Sequence, residues 1–89
     1  MRIKDGYLLR TVADTKIVVP VAERVIEFKG MMLLNDVSAA IWEYMQEDRT
    51  YEQILKFMLD SYDVDRETAE KDLNTLIERM KDSGVIENA

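Results

Sequence analysis

The spacing of apolar and polar residues changes once along the chain, at Asn35-Asp36. Ahead of that point the period is two. Residues 7 to 12 (YLLRTV) and 15 to 19 (TKIVV) are short runs rich in β-formers, separated by Ala13-Asp14 alone, which is hairpin spacing. Pro20 ends the second run, because it has no amide hydrogen for a ladder. Residues 25 to 32 alternate: Ile26, Phe28 and Met32 fall on one side, with Gly30 between them, and Glu27 and Lys29 fall on the other. That pattern predicts a third strand with one buried and one wet face. Three strands with short links make an antiparallel meander whose first and third members are edges.

From Asn35 onward the period is 3.6. Val37, Ala40, Ile41, Tyr44 and Met45 form the stripe of a first helix, with Trp42 at its margin and Asn35 or Asp36 placed to cap it. After a polar break at Glu47-Asp48-Arg49, Thr50 followed three residues later by Gln53 is a capping box. Ile54, Leu55, Met58, Leu59 and Tyr62 mark the second helix. Asp65 can cap a third, whose stripe is Ala69, Leu73, Leu76, Ile77 and Met80. Gly84 stands where a left-handed residue closes a helix, and Val85 and Ile86 can fold back on the last turn. Strands grouped before helices predict an α+β fold in a single domain over residues 1 to 89. The second and third helices resemble a helix-turn-helix, so the expected arrangement is winged-helix-like: a three-stranded antiparallel sheet followed by three helices.

Composition narrows the chemistry. Eighty-nine residues with 47% hydrophobic content suffice for one modest core. There is no Cys and no His, which excludes a disulfide framework, a Cys/His zinc site, and catalysis by a Cys nucleophile or a His base. Acids, Lys and Tyr are present in no recognisable catalytic constellation, so no enzyme activity and no cofactor are expected. The longest apolar runs, such as Ile17-Val18-Val19-Pro20-Val21, fall far short of the roughly 20 residues of a membrane span. The N-terminus lacks the apolar stretch of a signal peptide, and a cytoplasmic location is the default expectation.

Charge is unevenly spread. The net charge is −6; residues 1 to 30 are +2 and the remainder −8. The third helix, over residues 66 to 83, carries Arg66, Lys71, Arg79 and Lys81 against Glu67, Glu70, Asp72, Glu78 and Asp82, a net −1. A helix-turn-helix invites a DNA-binding reading. Phosphate contacts need a positive surface, and no such patch is evident, so nucleic acid is not an expected partner. The acids in DVDRETAEKD briefly suggest a calcium loop but lack its Gly and final Glu, and helix capping explains them. Trp42 reads either as a core residue joining helix to sheet or as an interaction residue. The third strand is more informative. As an edge it presents unpaired amide and carbonyl groups, with Glu27 and Lys29 as guards against aggregation and Gly30 as a bulge. Equally, such an edge can receive a partner peptide as an added strand. Composition leaves both readings open.

The combination of Leu34-Asn35, Ile41-Trp42-Glu43, Thr50 with Ile54, Tyr62-Asp63-Val64-Asp65, Ala69, Asp72, Leu76 and Gly84-Val85-Ile86 resembles the PqqD family, the coenzyme PQQ synthesis protein D or RiPP precursor peptide recognition element. The resemblance runs from about Tyr7 to Glu87. It implies a non-catalytic peptide chaperone. Such domains bind the leader of a ribosomally made precursor peptide by strand addition and present it to a modifying enzyme, commonly a radical SAM protein. Carried onto this chain, the strand side of the site is Val25, Ile26, Glu27, Phe28 and Lys29. The helix side is Asp72, Thr75, Leu76 and Arg79, spaced i, i+3, i+4, i+7 on one face. The resemblance names the domain type and leaves the product, PQQ or another, undetermined. The acidic first and second helices (Glu43, Glu47, Asp48, Glu52) are either a dock for the enzyme or a solvated face. Two other readings stand beside this one: a winged-helix DNA-binding regulator, and a scaffold whose strand edge pairs with its own copy in a homodimer.

Overall fold

Ala13 and Asp14 both adopt positive φ, 49° and 67°. This is the backbone of a two-residue type I′ turn, whose twist matches the strands on either side. It joins β2 (Tyr7–Val12) to β3 (Thr15–Pro20). The computed structural model describes residues 1–21, 24–27 and 32–87, with only the backbone at 26 and 27. A third strand, β4 (Met32–Leu34), pairs antiparallel with β3, and the sheet order is β2-β3-β4.

The turn sets the phase of the whole ladder. Val12 and Thr15 flank it as partners and exchange hydrogen bonds, so bonded pairs alternate with non-bonded ones from there. Arg10 with Ile17 and Leu8 with Val19 are therefore bonded pairs, while Tyr7 opposite Pro20 is not. Pro20, lacking an amide hydrogen, falls where β2 needs none. Lys16 and Val18 then turn their peptide groups the other way, toward Leu34 and Met32. Ile17 and Leu33 face each other without exchanging bonds. Consequently the amide and carbonyl of Leu33 point out of the sheet at its β4 border.

The third strand differs from its expected position. Arg24–Glu27 is a turn of helix, α1, and the strand is confined to Met32–Leu34. Phe28, Lys29 and Gly30 lie outside the described residues. Tertiary anchors explain the helical turn. The Val21 amide donates to Gly6 O at 2.8 Å, and the Arg24 amide to Val21 O at 3.1 Å. Arg24 Nε reaches Asp5 O at 2.9 Å, and its guanidinium lies 5.8 Å from the Tyr7 ring centre. Gly6, at φ 95°, leaves room for that arginine, since a Cβ there would stand 2.6 Å from Arg24 Cγ. A short apolar run fits a strand or a helical turn equally well by period, and these contacts decide the matter.

The three helices follow as expected, each with its cap. Asn35 Oδ1 accepts from the Ser38 amide at 2.8 Å and starts α2 (Asp36–Tyr44). Thr50 and Gln53 form the capping box of α3 (Tyr51–Ser61), at 3.1 and 2.9 Å. Asp65 accepts from the Thr68 amide at 2.7 Å and starts α4 (Arg66–Ser83), which settles its role as a cap. Gly84, at φ 78°, closes α4. Its amide donates to Lys81 O and that of Val85 to Met80 O, both at 3.1 Å, with Val85 and Met80 buried together.

Two further strands were not evident from the periodicity. β1 (Arg2–Ile3) pairs with β5 (Ile86–Glu87) as a separate antiparallel ribbon. Ile3 N also donates to Met45 O and Lys4 N to Val85 O, both at 2.9 Å, so the two ends of the chain are tied beneath the helices. The sheet contributes Tyr7, Val18, Met32 and Leu34 to the core, and all three long helices close over it. Trp42 is 2% exposed and sits inside that core rather than at its margin, so it is a packing residue. Ala39, not Ala40, is the buried alanine of α2. No described helix is long and apolar enough to cross a membrane.

Replacing Thr50 by Ala removes a cap and its reciprocal partner; a loss of about 1 kcal/mol in urea-unfolding stability is expected. Asp65 tests the third helix by pH. The Thr68 amide that it caps holds its carboxyl below the ordinary carboxylate range. A depressed native pKa supplies stability above the unfolded value and loses it as pH falls through the native one. Asp65→Asn keeps the cap and removes the titration. The variant should match the parent near neutral pH and lose less stability than it between about pH 4 and the more acidic native value, as read from unfolding midpoints across that range.

Candidate functional site

The outward carbonyl of Leu33 is met by α4. Arg79 Nη2 donates to it at 2.5 Å across 46 residues of sequence. Among the described residues nothing accepts from the Leu33 amide. Ile86 and Glu87 do not occupy this border, since they are paired with Ile3 and Arg2 on the other sheet. The border therefore offers one free donor and one carbonyl held by a side chain.

Beside it lies a groove of about 280 Å³ lined by Asn35, Val37, Ser38, Ile41, Met58, Asp72, Thr75, Leu76 and Arg79. Its formation follows from the chain path. Asn35 comes directly after the last residue of β4, so the first turns of α2 leave the sheet at the border itself. α4 runs past as the opposing wall. Ile41, Met58 and Leu76 are buried and form the base. Asn35, Asp72, Thr75 and Arg79 are exposed and form the rim, with Val37 and Ser38 half-buried between. The Thr75 hydroxyl donates to Lys71 O at 3.1 Å, which turns its methyl group away from the helix backbone. An apolar floor with a polar rim suits an extended chain that inserts one or two apolar side chains.

The four helix residues singled out from the sequence, Asp72, Thr75, Leu76 and Arg79, all line this groove. The strand residues do not join them in the expected form. Val25, Ile26 and Glu27 belong to α1, whose helical backbone cannot offer a ladder edge. Phe28 and Lys29 lie outside the described residues. The edge is supplied by Leu33, and its guard is Arg79, reaching across from α4. Asn35, Val37, Ser38, Ile41 and Met58 were not foreseen as groove residues. The i, i+4 pair Val37 and Ile41 directly after the edge strand was the available signal.

Elsewhere several charges are paired. Arg66 binds Glu70 at 2.8 Å and Glu52 at 3.2 Å, which raises its already high pKa and ties α3 to α4. Arg49 binds Glu47 at 3.0 Å, donates to Tyr44 O at 3.0 Å, and lies 4.2 Å from the Tyr44 ring centre. Tyr44 in turn stacks on Phe57 at 4.5 Å. Asp48 meets the amino group of Met1 at 2.9 Å. Of the acidic face considered as an enzyme dock, Glu47, Asp48 and Glu52 are thus engaged within the chain.

Comparison with known proteins agrees with this architecture. No curated protein matches the sequence. Among solved structures, TbiB1 in complex with the TbiA(β) leader peptide is similar with a TM-score of 0.75 at 22% identity, covering 100% of this chain and 98% of that one. A lasso peptide synthetase B1 complexed with the leader peptide is similar with a TM-score of 0.69 at 20% identity, covering 94% and 93%. At these identities the likeness is one of fold. The family described as coenzyme PQQ synthesis protein D matches residues 17 to 86, from the middle of β3 to the start of β5. The chain therefore belongs to the PqqD family.

Proposed function

We propose that this protein is a non-catalytic peptide-binding module. It takes the leader segment of a ribosomally made precursor as an added strand beside β4 and presents it to a modifying enzyme, of which a radical SAM protein is one candidate class. The observation that carries this reading is the outward-facing peptide unit of Leu33 beside a groove floored by Ile41, Met58 and Leu76. Strand addition divides the work. Backbone bonds to the border supply affinity that is indifferent to sequence, and the groove supplies selection. Burying one Leu-sized side chain on that floor contributes about 1.5–3 kcal/mol, enough to separate a fitting leader from a polar one. Asp72, Thr75, Leu76 and Arg79 are the helix side of the site. On the strand side Leu33 replaces the residues of α1. The leader complexes formed by proteins of this fold support the reading.

Titration of isotope-labelled protein with the leader of a precursor peptide encoded beside its gene should shift the amides of Leu33 and of the groove face of α4. The expected Kd is micromolar, about −8 kcal/mol. Leu33→Pro is the matching block. It removes the outward donor and leaves the bonds of Met32 and Leu34 to β3 in place, as proline is tolerated at an edge with its nitrogen facing out. The variant should stay folded and lose about tenfold or more in affinity. Saturable binding unaffected by this substitution, or no binding by the parent, would rule the reading out.

A further inference from the structure

Resting on strand addition at β4, we propose that Arg79 is an exchangeable latch on the binding edge. It holds the Leu33 carbonyl while the groove is empty and transfers to an acidic side chain of the incoming strand. The groove thereby selects peptides with a carboxylate beside the residue that pairs with Leu33.

The argument starts from space. A strand added to β4 lies about 4.8 Å away in the direction of the Leu33 carbonyl, and its amide nitrogen comes to about 2.9 Å from that oxygen. Arg79 Nη2 already stands 2.5 Å from the same oxygen. The carbonyl has a second lone pair, but Arg79 reaches it by crossing the groove from α4, through the space the added strand would fill, so in the proposed exchange the arginine swings aside when the strand arrives. A guanidinium that gives up a carbonyl needs another acceptor, and a carboxylate is the strongest that a peptide can bring, because it can take two of the five donors at once. Among the described residues Arg79 pairs with no carboxylate, whereas Arg66 on the same helix already holds two.

The groove has a polarity that favours this exchange at one end. Arg79 shares the lining with Asn35 and Ser38 at the start of α2, where the helix dipole adds positive potential. Asp72, the acid of the same lining, stands seven residues away along α4, about 10 Å along the axis. A guest with its acid at the Arg79 end meets attraction there and avoids repulsion at Asp72, which sets direction as well as composition. Exposure on the rim leaves Arg79 free to move without disturbing the core. Meanwhile the latch shields the edge from pairing with another chain.

The test uses phage-displayed random peptides about nine residues long, roughly 30 Å when extended, selected on the parent and on Arg79→Met. Selected peptides are then measured free in solution. The parent should enrich Asp or Glu at one place fixed relative to an apolar anchor, and Arg79→Met should lose that enrichment. Changing the selected acid to its amide should weaken binding to the parent about tenfold, about 1.4 kcal/mol, and leave binding to Arg79→Met nearly unchanged. Neutral peptides should bind Arg79→Met at least as tightly as the parent, since no latch must be displaced. The same acid enrichment on both proteins, or equal losses on amidation, overturns the latch and leaves strand addition standing. Selected peptides that bind Leu33→Pro undiminished, or no enrichment on either protein, overturn the function proposed above and the latch with it.

Discussion

The two-residue turn at Ala13-Asp14 decides which backbone groups this protein shows to its surroundings. In an antiparallel ladder a residue gives both its amide and its carbonyl to one side, and the side alternates. Once Val12 and Thr15 are bonded across the turn, the orientation of each peptide unit through β3 and into β4 follows. A slip of one residue would turn the Leu33 unit inward and send Met32 and Leu34 from the core to solvent. Both are at most 5% exposed, so burial enforces the same register that the turn sets. The border at Leu33 is thus specified twice, by a local turn and by the core.

What the border meets is decided by the helices. The cap of α2, Asn35, is the residue after β4, and α4 is long enough to carry Asp72 and Arg79 along one wall. The capping motifs set where each helix starts, and the left-handed Gly84 turns the chain toward β1 instead of along β4. That turn matters because a C-terminal strand laid on the border would close it. Arg66 joins α3 to α4 through Glu52 and Glu70, so the wall opposite the border is braced from outside the core. The same pairing consumes a cation that a duplex-binding helix would need to present. With Arg79 also engaged, two of the four cations of α4 are held within the protein.

Selectivity and restraint meet in one side chain. An open strand edge is a hazard in a free protein, and it is usually blunted by shortness or charge. Here β4 is three residues long and its outward carbonyl is covered by Arg79. A fixed guard would defeat a peptide receptor. An arginine on an exposed rim can leave, and in the proposed latch whatever draws it away becomes part of what is recognised. The apolar base of Ile41, Met58 and Leu76 needs no such movement, so anchoring and release reside in different residues.

The sequence by itself determined the hairpin and the three long helices with their caps, and the lack of Cys and His rules out disulfide and Cys/His metal chemistry. Alternation, a two-residue turn, three caps and a terminal glycine are local signals, each acting within a few residues, and the β2-β3 hairpin, α2, α3 and α4 appear where those signals stand. Spacing on one helix also brought Asp72, Thr75, Leu76 and Arg79 to one face, because helical geometry is local. The resemblance to the PqqD family supplied the choice of that face. Tertiary structure decided the rest. Residues 25 to 32 alternate as a strand would, yet Arg24 binds Asp5 O and the chain at Val21 binds Gly6, so Arg24–Glu27 winds into α1. The β1-β5 ribbon joins residues at opposite ends of the chain, and two-residue strands carry no period to read. The bond from Arg79 to Leu33 spans 46 residues, and its meaning depends on the phase of a ladder that begins at another turn. A contact of that kind exists only once the sheet, the helix and their packing are all in place.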